Sequence, residues 1–506
     1  MRFHLRAATC SFVFLSLLLD LGVGCGDEPI TDQVVISTIH KAGDFYRRSV
    51  SVRGGYVYYY STDLAQRWGE GRASEDQIWV QPPGTPTVGM AYLKAYDATG
   101  DRVFLDAARD AAGALIYGQL RSGGWSNSID TKGQELGNPY EGGKKPRDGT
   151  TSLDDGQTQS AIEFMVRVDQ ALRFSDPRIH ESAMTALDAL LDAQFANGAF
   201  PQGFKAAATE QPLLKANYPK YDWRVDGRIK NYWDMYTLND NVCGDVADTL
   251  ATAHQVYGDD KYLAALRRLG HFLVSAQMPD PQPAWAQQYN YDMQPIWARK
   301  FEPPAIAGDE SQEVMETLMN IFIITGDRKY LEPIPRALMY LKRSLLSDGR
   351  LARYYELETN KPLYMFRKGK SVYELTYDDT DLPSHYGWKW DSRLDELEKR
   401  FAHVTAARSV EAETDPYVRL QATGSSHSRN DMIRALDAVK QTVGDVVQSL
   451  DEQGRWVSTY DGERLVGQPK FKKGMQYLSS EVFSRNLTML SNYIIASKYQ
   501  SQQRTK

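Results

Sequence analysis

Residues 89–120 read GMAYLKAYDATGDRVFLDAARDAAGALIYGQL. Apolar residues recur at three- and four-residue spacing on both sides of the Gly100–Asp101 pair, the pattern of two amphipathic helices joined by a tight turn. The unit returns three times: AIEFMVRVDQALRFSDPRIHESAMTALDALLDAQ (161–194), DTLATAHQVYGDDKYLAALRRLGHFLVSAQM (248–278) and VMETLMNIFIITGDRKYLEPIPRALMYLKR (314–343). Turns at Asp101, Asp176, Asp259 and Asp327 give a period of about 70 to 85 residues, longer than common solenoid units. Glycine- and aromatic-rich loops close the units, and β-rich runs are few. A helical hairpin cannot bury its apolar face alone, so repeated hairpins stack. With long loops between units, the expected fold is mainly α, an α/α toroid. Its inner helices run in one sense and gather their N-termini on one face.

The chain has 506 residues, 42% hydrophobic and 25% charged, a globular composition. A net charge of −6 argues against a duplex nucleic-acid binder, which needs a basic face. A polyanionic substrate would therefore be captured by local cations and not by the global field. Residues 1–24 read as a signal peptide: Arg2 and Arg6 precede an apolar run too short to span a membrane. Leu21 to Gly24 before Cys25 make that cysteine a candidate lipid-attachment site, although Gly22 stands where a large aliphatic residue is usual. The expectation is an exported protein, periplasmic or extracellular, touching a membrane only through such an anchor, and a monomer. Beyond Cys10 and Cys25 only Cys243 remains, which excludes a disulfide framework and a cysteine-based metal site. Residues 25–405 are expected to form the toroid with an N-terminal extension, and 406–506 a helical extension that completes it.

The segments just before the first helices of the hairpins are QPPGTPT (81–87), TSLDDGQT (151–158), TLNDNVCGD (237–245) and AGDESQEV (307–314). Asp154, Asp155, Asp240, Asp309 and Glu310 could each be a helix cap. Their recurrence at equivalent places would also bring separate carboxylates to one pocket. Oxygen ligands without histidine or cysteine suit a hard cation such as calcium. The eight histidines show no zinc spacing, and neither a Walker loop, a GxGxxG nor a nucleophile elbow occurs. Three arginines stand in unusual company: Arg299 in IWARKFEPP (296–304), and Arg353 and Arg367 in LARYYELETNKPLYMFRKGK (351–370). Each could be a partly buried ion pair or a fork for a carboxylate. Aromatic neighbours such as Trp285 and Tyr289 suggest a sugar-binding cleft. Acids, arginines and aromatics together suit an acidic polysaccharide.

TSLDDGQTQSAI (151–162), TLNDN (237–241), AQQYNYDMQPIWARKFEPP (286–304) with AGDES, and LARYYELETNKPLYMFRKGK followed by HYGWKW (385–390) resemble, in order, the landmarks of the family 10 polysaccharide lyases, pectate lyases of the α/α-toroid type. The resemblance spans about residues 123–390. It implies calcium-assisted anti-β-elimination on polygalacturonate, with Asp154 and Asp240 as metal ligands and Arg299 as the base. It further implies that Arg353 and Arg367 hold substrate carboxylates, and that Asp155, which stands where the family often has asparagine, is a substrate-binding residue. The family's tryptophan-proline loop is here NGAFPQGF (197–204), with Phe200 in the tryptophan's place, so a differing subsite is expected. Two other readings fit the residues: a toroidal glycoside hydrolase using Asp154 and Asp240 as a carboxylate pair, and a non-catalytic surface lipoprotein that binds acidic polysaccharide.

Overall fold

The computed structural model describes residues 30–131, 149–225, 231–369, 372–406, 440–467 and 469–504. The leader, Cys25 and most of the polar connector 403–431 lie outside them. The long helices are α1 (Asp32–Phe45), α2 (Thr85–Thr99), α3 (Arg102–Gly118), α4 (Gln157–Ala171), α5 (Pro177–Asp192), α6 (Val242–Tyr257), α7 (Asp260–Ser275), α8 (Gly308–Thr325), α9 (Ile334–Arg343), α10 (Leu394–Ala406) and α11 (Ser480–Arg504). Short strands punctuate them: β1 (Tyr59–Ser61), β2 (Thr151–Ser152), β3 (Tyr236–Thr237), β4 (Ala305–Ala307), β5 (Tyr354–Glu356), β6 (Pro362–Lys368), β7 (Val372–Thr376) and β8 (Gln476–Ser479).

The hairpin turns form for the reason their sequence gives. Gly100 ends α2 with φ of 76°, a left-handed conformation that costs glycine nothing, and its N–H closes on the Tyr96 carbonyl. Asp101 follows at once and accepts from Val103 N–H, starting α3. Asp176, Asp259 and Asp327 cap the following helical turns in the same way.

The first helices α2, α4, α6 and α8 pack in succession, and α3, α5 and α7 back them. Inner positions are buried on most faces; α8 is buried from Gly308 to Met315 and again from Thr317 to Ile323. Packing there is close: a Cβ on Gly89 of α2 would lie 2.2 Å from the ring of Phe164 in α4. At the other end α11 packs on α1 and α2. Just before it, β8 pairs antiparallel with β1, Tyr59 opposite Ser479. The mainly helical toroidal class read from the sequence is what the structure shows. No helix among the described residues is long and apolar enough to cross a membrane.

A repeated scaffold carries each junction. The carbonyls of Trp125, Phe200 and Trp285 accept from the N–H of Ser152, Thr237 and Ala307 (2.9, 3.0 and 2.8 Å), fixing the residues that enter α4, α6 and α8. The indole N–H groups of Trp125 and Trp285 each donate to a carbonyl of the preceding helix, Leu115 and Leu273, both at 2.8 Å. β2 pairs with Gly203–Phe204 and β3 with Gln288–Tyr289. These short ladders aim the turns that follow them.

Candidate active site

Two of those turns are copies of one another. Leu153-Asp154-Asp155-Gly156 leads into α4 and Leu238-Asn239-Asp240-Asn241 into α6. Asp155 and Asp240 both take left-handed backbone conformations (φ 49° and 50°), as do Gly156 and Asn241 (67° and 55°). Asp and Asn tolerate this region better than other residues with a Cβ. By backbone equivalence Asp240 therefore corresponds to Asp155, while Asn239 corresponds to Asp154. None of these acids caps its helix, since neither helix start has a side-chain cap bond.

The two turns face each other, and carboxylate oxygens of Asp154, Asp155 and Asp240 all lie within 4.8 Å of one another. Gln202 donates to Asp154 Oδ1 (2.7 Å), Gln81 to Asp155 Oδ2 (3.1 Å), and the Asn239 amide to Asp240 Oδ2. Burial pushes the Asp154 carboxyl well above the usual carboxylate range, and the charges of Asp240 and Asp155 push it further, against the pull of Arg299. Asp155 is raised by burial and then by Asp240. Three mutually repelling oxygen donors in so small a space match a hard divalent cation, which would supply the missing positive charge.

Arg299 closes one side of the cluster. Its Nη2 lies 3.4 Å from Asp240 Oδ2. Its main-chain N–H donates to Glu302 Oε2 at 2.8 Å, and Nε lies 3.0 Å from the same carboxylate. Burial by itself would lower the Arg299 pKa, but Glu302 and Asp240 outweigh it and hold the guanidinium above its ordinary range. Arg353 is buried, with Nη2 3.3 Å from Glu310 Oε1 and 3.4 Å from Asn239 Oδ1, so it reaches the cluster through Asn239. Its guanidinium lies 4.2 Å from the Tyr386 ring centroid. Arg367 stands apart, on the exposed part of the β6–β7 hairpin, 5.7 Å from the ring of Tyr373. Tyr373, His385 and Phe301 form the aromatic bridge from there to Tyr386.

The aromatic candidates fall elsewhere. Trp285 and Tyr289 are fully buried. The Tyr289 hydroxyl donates to the Ala276 carbonyl and accepts from Ala286 N–H, both at 2.7 Å. Trp285 is the loop anchor described above. Neither presents a ring face to a sugar, so both are core residues and not substrate-binding ones. Phe200 is the counterpart of Trp125 and Trp285 and is equally buried, so its exchange for tryptophan is a change in the core and not in a subsite. Asp309 and Glu310 lie inside the first turn of α8, where Glu310 serves Arg353.

Sequence reasoning missed Glu302, Tyr386, Gln202 and Gln81. Glu302 lay in the quoted ARKFEPP block three residues after Arg299, a spacing that brings the two side chains together. Tyr386 donates to Glu302 Oε1 at 2.8 Å across 84 residues, which no local pattern shows.

Residues 119–326 match the model of the pectic acid lyase family, described as "Pectic acid lyase". No curated protein matches the chain. Among solved structures, the family 10 polysaccharide lyase from Cellvibrio cellulosa is 17% identical, covering 63% of this chain and 97% of its own, with a TM-score of 0.45. A substituted form of that enzyme, solved with trigalaturonic acid, is 18% identical (63% and 99% covered, TM-score 0.44). Cellobiose 2-epimerase from Bacillus thermoamylovorans is 13% identical (91% and 99% covered, TM-score 0.44). The stretch that is similar to the pectic acid lyase family, residues 119–326, is the one that holds Asp154, Asp155, Asp240 and Arg299.

Proposed function

We propose that this lyase cleaves polygalacturonate by anti-β-elimination, with Arg299 as base and a calcium ion held by Asp154, Asp155 and Asp240. The observation that carries the reading is the Arg299–Asp240 contact, which sets a guanidinium against an all-carboxylate cation cradle. Bound there, a divalent ion supplies charge neutralisation beside the uronate carboxylate, into which negative charge spreads as the C5–H bond breaks. Arg299, in its neutral form, takes the C5 proton. The C5–H electron pair becomes the C4=C5 double bond, and the C4–O bond to the leaving sugar breaks, its oxygen taking a proton from solvent. Arg353 is held in place by Glu310, Asn239 and Tyr386 to orient the substrate carboxylate. Because Glu302 and Asp240 favour the charged guanidinium, activity rests on a small neutral fraction and rises with pH.

A hydrolase reading needs two carboxylates about 5 to 10 Å apart with a sugar between them. Oxygens gathered within 4.8 Å fit one cation better than an acid and base on opposite sides of a bond. The leader sequence supports export, and an anchor at Cys25 would keep the enzyme at a membrane surface. The test is ultraviolet absorbance of the full chain with polygalacturonate at alkaline pH, first with calcium and then with a chelator. A rise that the chelator abolishes is expected. New reducing ends without absorbance would return the argument to hydrolysis. Binding without either product would make this a capture protein.

A further inference from the structure

Tyr386 lies outside the matched segment 119–326, yet it touches the support of one arginine and the guanidinium of the other. Its hydroxyl donates to Glu302 Oε1 at 2.8 Å, and its ring lies 4.2 Å from the Arg353 guanidinium. Glu302 is 2% exposed: Oε2 accepts from the Arg299 main-chain N–H, Oε1 accepts from Tyr386, and Arg299 Nε lies 3.0 Å from both oxygens. The Tyr386 oxygen also meets the Tyr354 hydroxyl at 3.0 Å, and Tyr354 reaches Gln287 Oε1 at 2.6 Å. A phenol has one proton, and a carboxylate is the strongest acceptor within its reach. That proton therefore fixes the rotation of the Glu302 carboxylate, and with it the orientation of the Arg299 fork.

We propose that Tyr386 is a positioning residue that sets Arg299 against Arg353, its hydroxyl acting through Glu302 on one and its ring seating the other. The inference rests on the reading of Arg299 as base. The contacts that hold Arg299 use its main-chain N–H and Nε on Glu302 and Nη2 on Asp240, so together they define the guanidinium plane. Proton abstraction is sensitive to such placement: a shift of about 1 Å can cost about 10²-fold in rate.

The experiment uses the full chain and Tyr386→Phe, which keeps the ring and removes the hydroxyl. Expected are a kcat about 10- to 100-fold lower on polygalacturonate, and a KM, a calcium affinity and a melting temperature close to wild type. Tyr373→Phe, which loses a hydroxyl that meets His385 and touches neither Glu302 nor Arg353, should cost far less. Equal losses in the two variants, or a kcat unchanged in Tyr386→Phe, would overturn the proposal. So would a kcat loss accompanied by parallel losses of calcium affinity and melting temperature. Should Tyr386→Phe fail to accumulate, Glu302→Gln reads the same link and should show the same fall in kcat. A readout independent of catalysis is the solvent exchange of Arg299 Nε–H, followed by NMR in arginine-labelled protein. Faster exchange in Tyr386→Phe supports the proposal and unchanged exchange overturns it. If wild type forms no unsaturated product while the exchange still accelerates, it is the assignment of the reaction that fails and not the positioning.

Discussion

Arg299 Nη2 and Asp240 Oδ2 lie 3.4 Å apart, so the residue read as base and a residue read as cation ligand draw on one carboxylate. Replacing Arg299 by alanine should then separate binding from chemistry. Elimination activity should fall by about 10² to 10⁴, the usual contribution of a positioned base. Calcium should bind as well as before or tighter, because a competing cation is gone from Asp240. Titration calorimetry beside the absorbance assay checks both. Activity above a tenth of wild type would remove Arg299 from the role.

The crowding of the three acids makes a second prediction of opposite sign for stability and binding. Asp155→Asn keeps an acceptor for Gln81 but removes one of the mutually repelling charges. In chelator the variant should melt higher, by about 2 °C for about 1 kcal/mol in a chain of this size. In the same protein calcium affinity should drop at least about tenfold, as expected when a charged ligand is lost. A variant that melts lower in chelator would show that the acids are not strained against each other.

Trp285→Phe tests the assignment of that ring to the core. Loss of the 2.8 Å bond to Leu273 should leave the carbonyl unpaired and cost about 1 to 3 kcal/mol. Denaturant unfolding should show this, while KM stays within about twofold of wild type. A large rise in KM without loss of stability would restore Trp285 to the cleft.

The pH dependence of stability has a separate source in Glu163 on α4. Burial, with Asp248 and Asp245 adding to it, pushes its carboxyl up to about 8, against an ordinary 4.5. Between these values the folded chain holds a proton that the unfolded chain has released. The stability this gives is complete at low pH and lost as pH rises through the window. Glu163→Gln should thus melt higher than wild type by a margin that grows from pH 5 to pH 9. A margin independent of pH would contradict the assignment, and scanning calorimetry over that range decides it.

The helical hairpins were legible because Gly100–Asp101 and its repeats end one helix and cap the next with local chemistry alone. That acids gather before α4 and α6 was legible because both turns stand at one place in a repeat, whereas the equivalence of Asp240 with Asp155, and of Asn239 with Asp154, shows only in the backbone. Trp285 and Tyr289 were misassigned because loop residues have no period that tells a buried ring from an exposed one. The correcting clue is the equivalence of Trp125, Phe200 and Trp285, which emerges only when the main-chain bonds to Ser152, Thr237 and Ala307 are seen. Tyr386 and Glu302 meet through tertiary packing, and nothing within a sequence window joins them.

The paired turns at Asp155 and Asp240 make the cradle a property of curvature. Each turn is pinned from behind by a short ladder, Thr151–Ser152 on Gly203–Phe204 and Tyr236–Thr237 on Gln288–Tyr289, so its acids move with the hairpin that carries them. The cradle's bite is set by the angle between two neighbouring hairpins, much as the gap of a caliper is set by its hinge. Tightening or relaxing the ring anywhere along α4 and α6 would therefore change which ionic radius is preferred, without altering a single ligand.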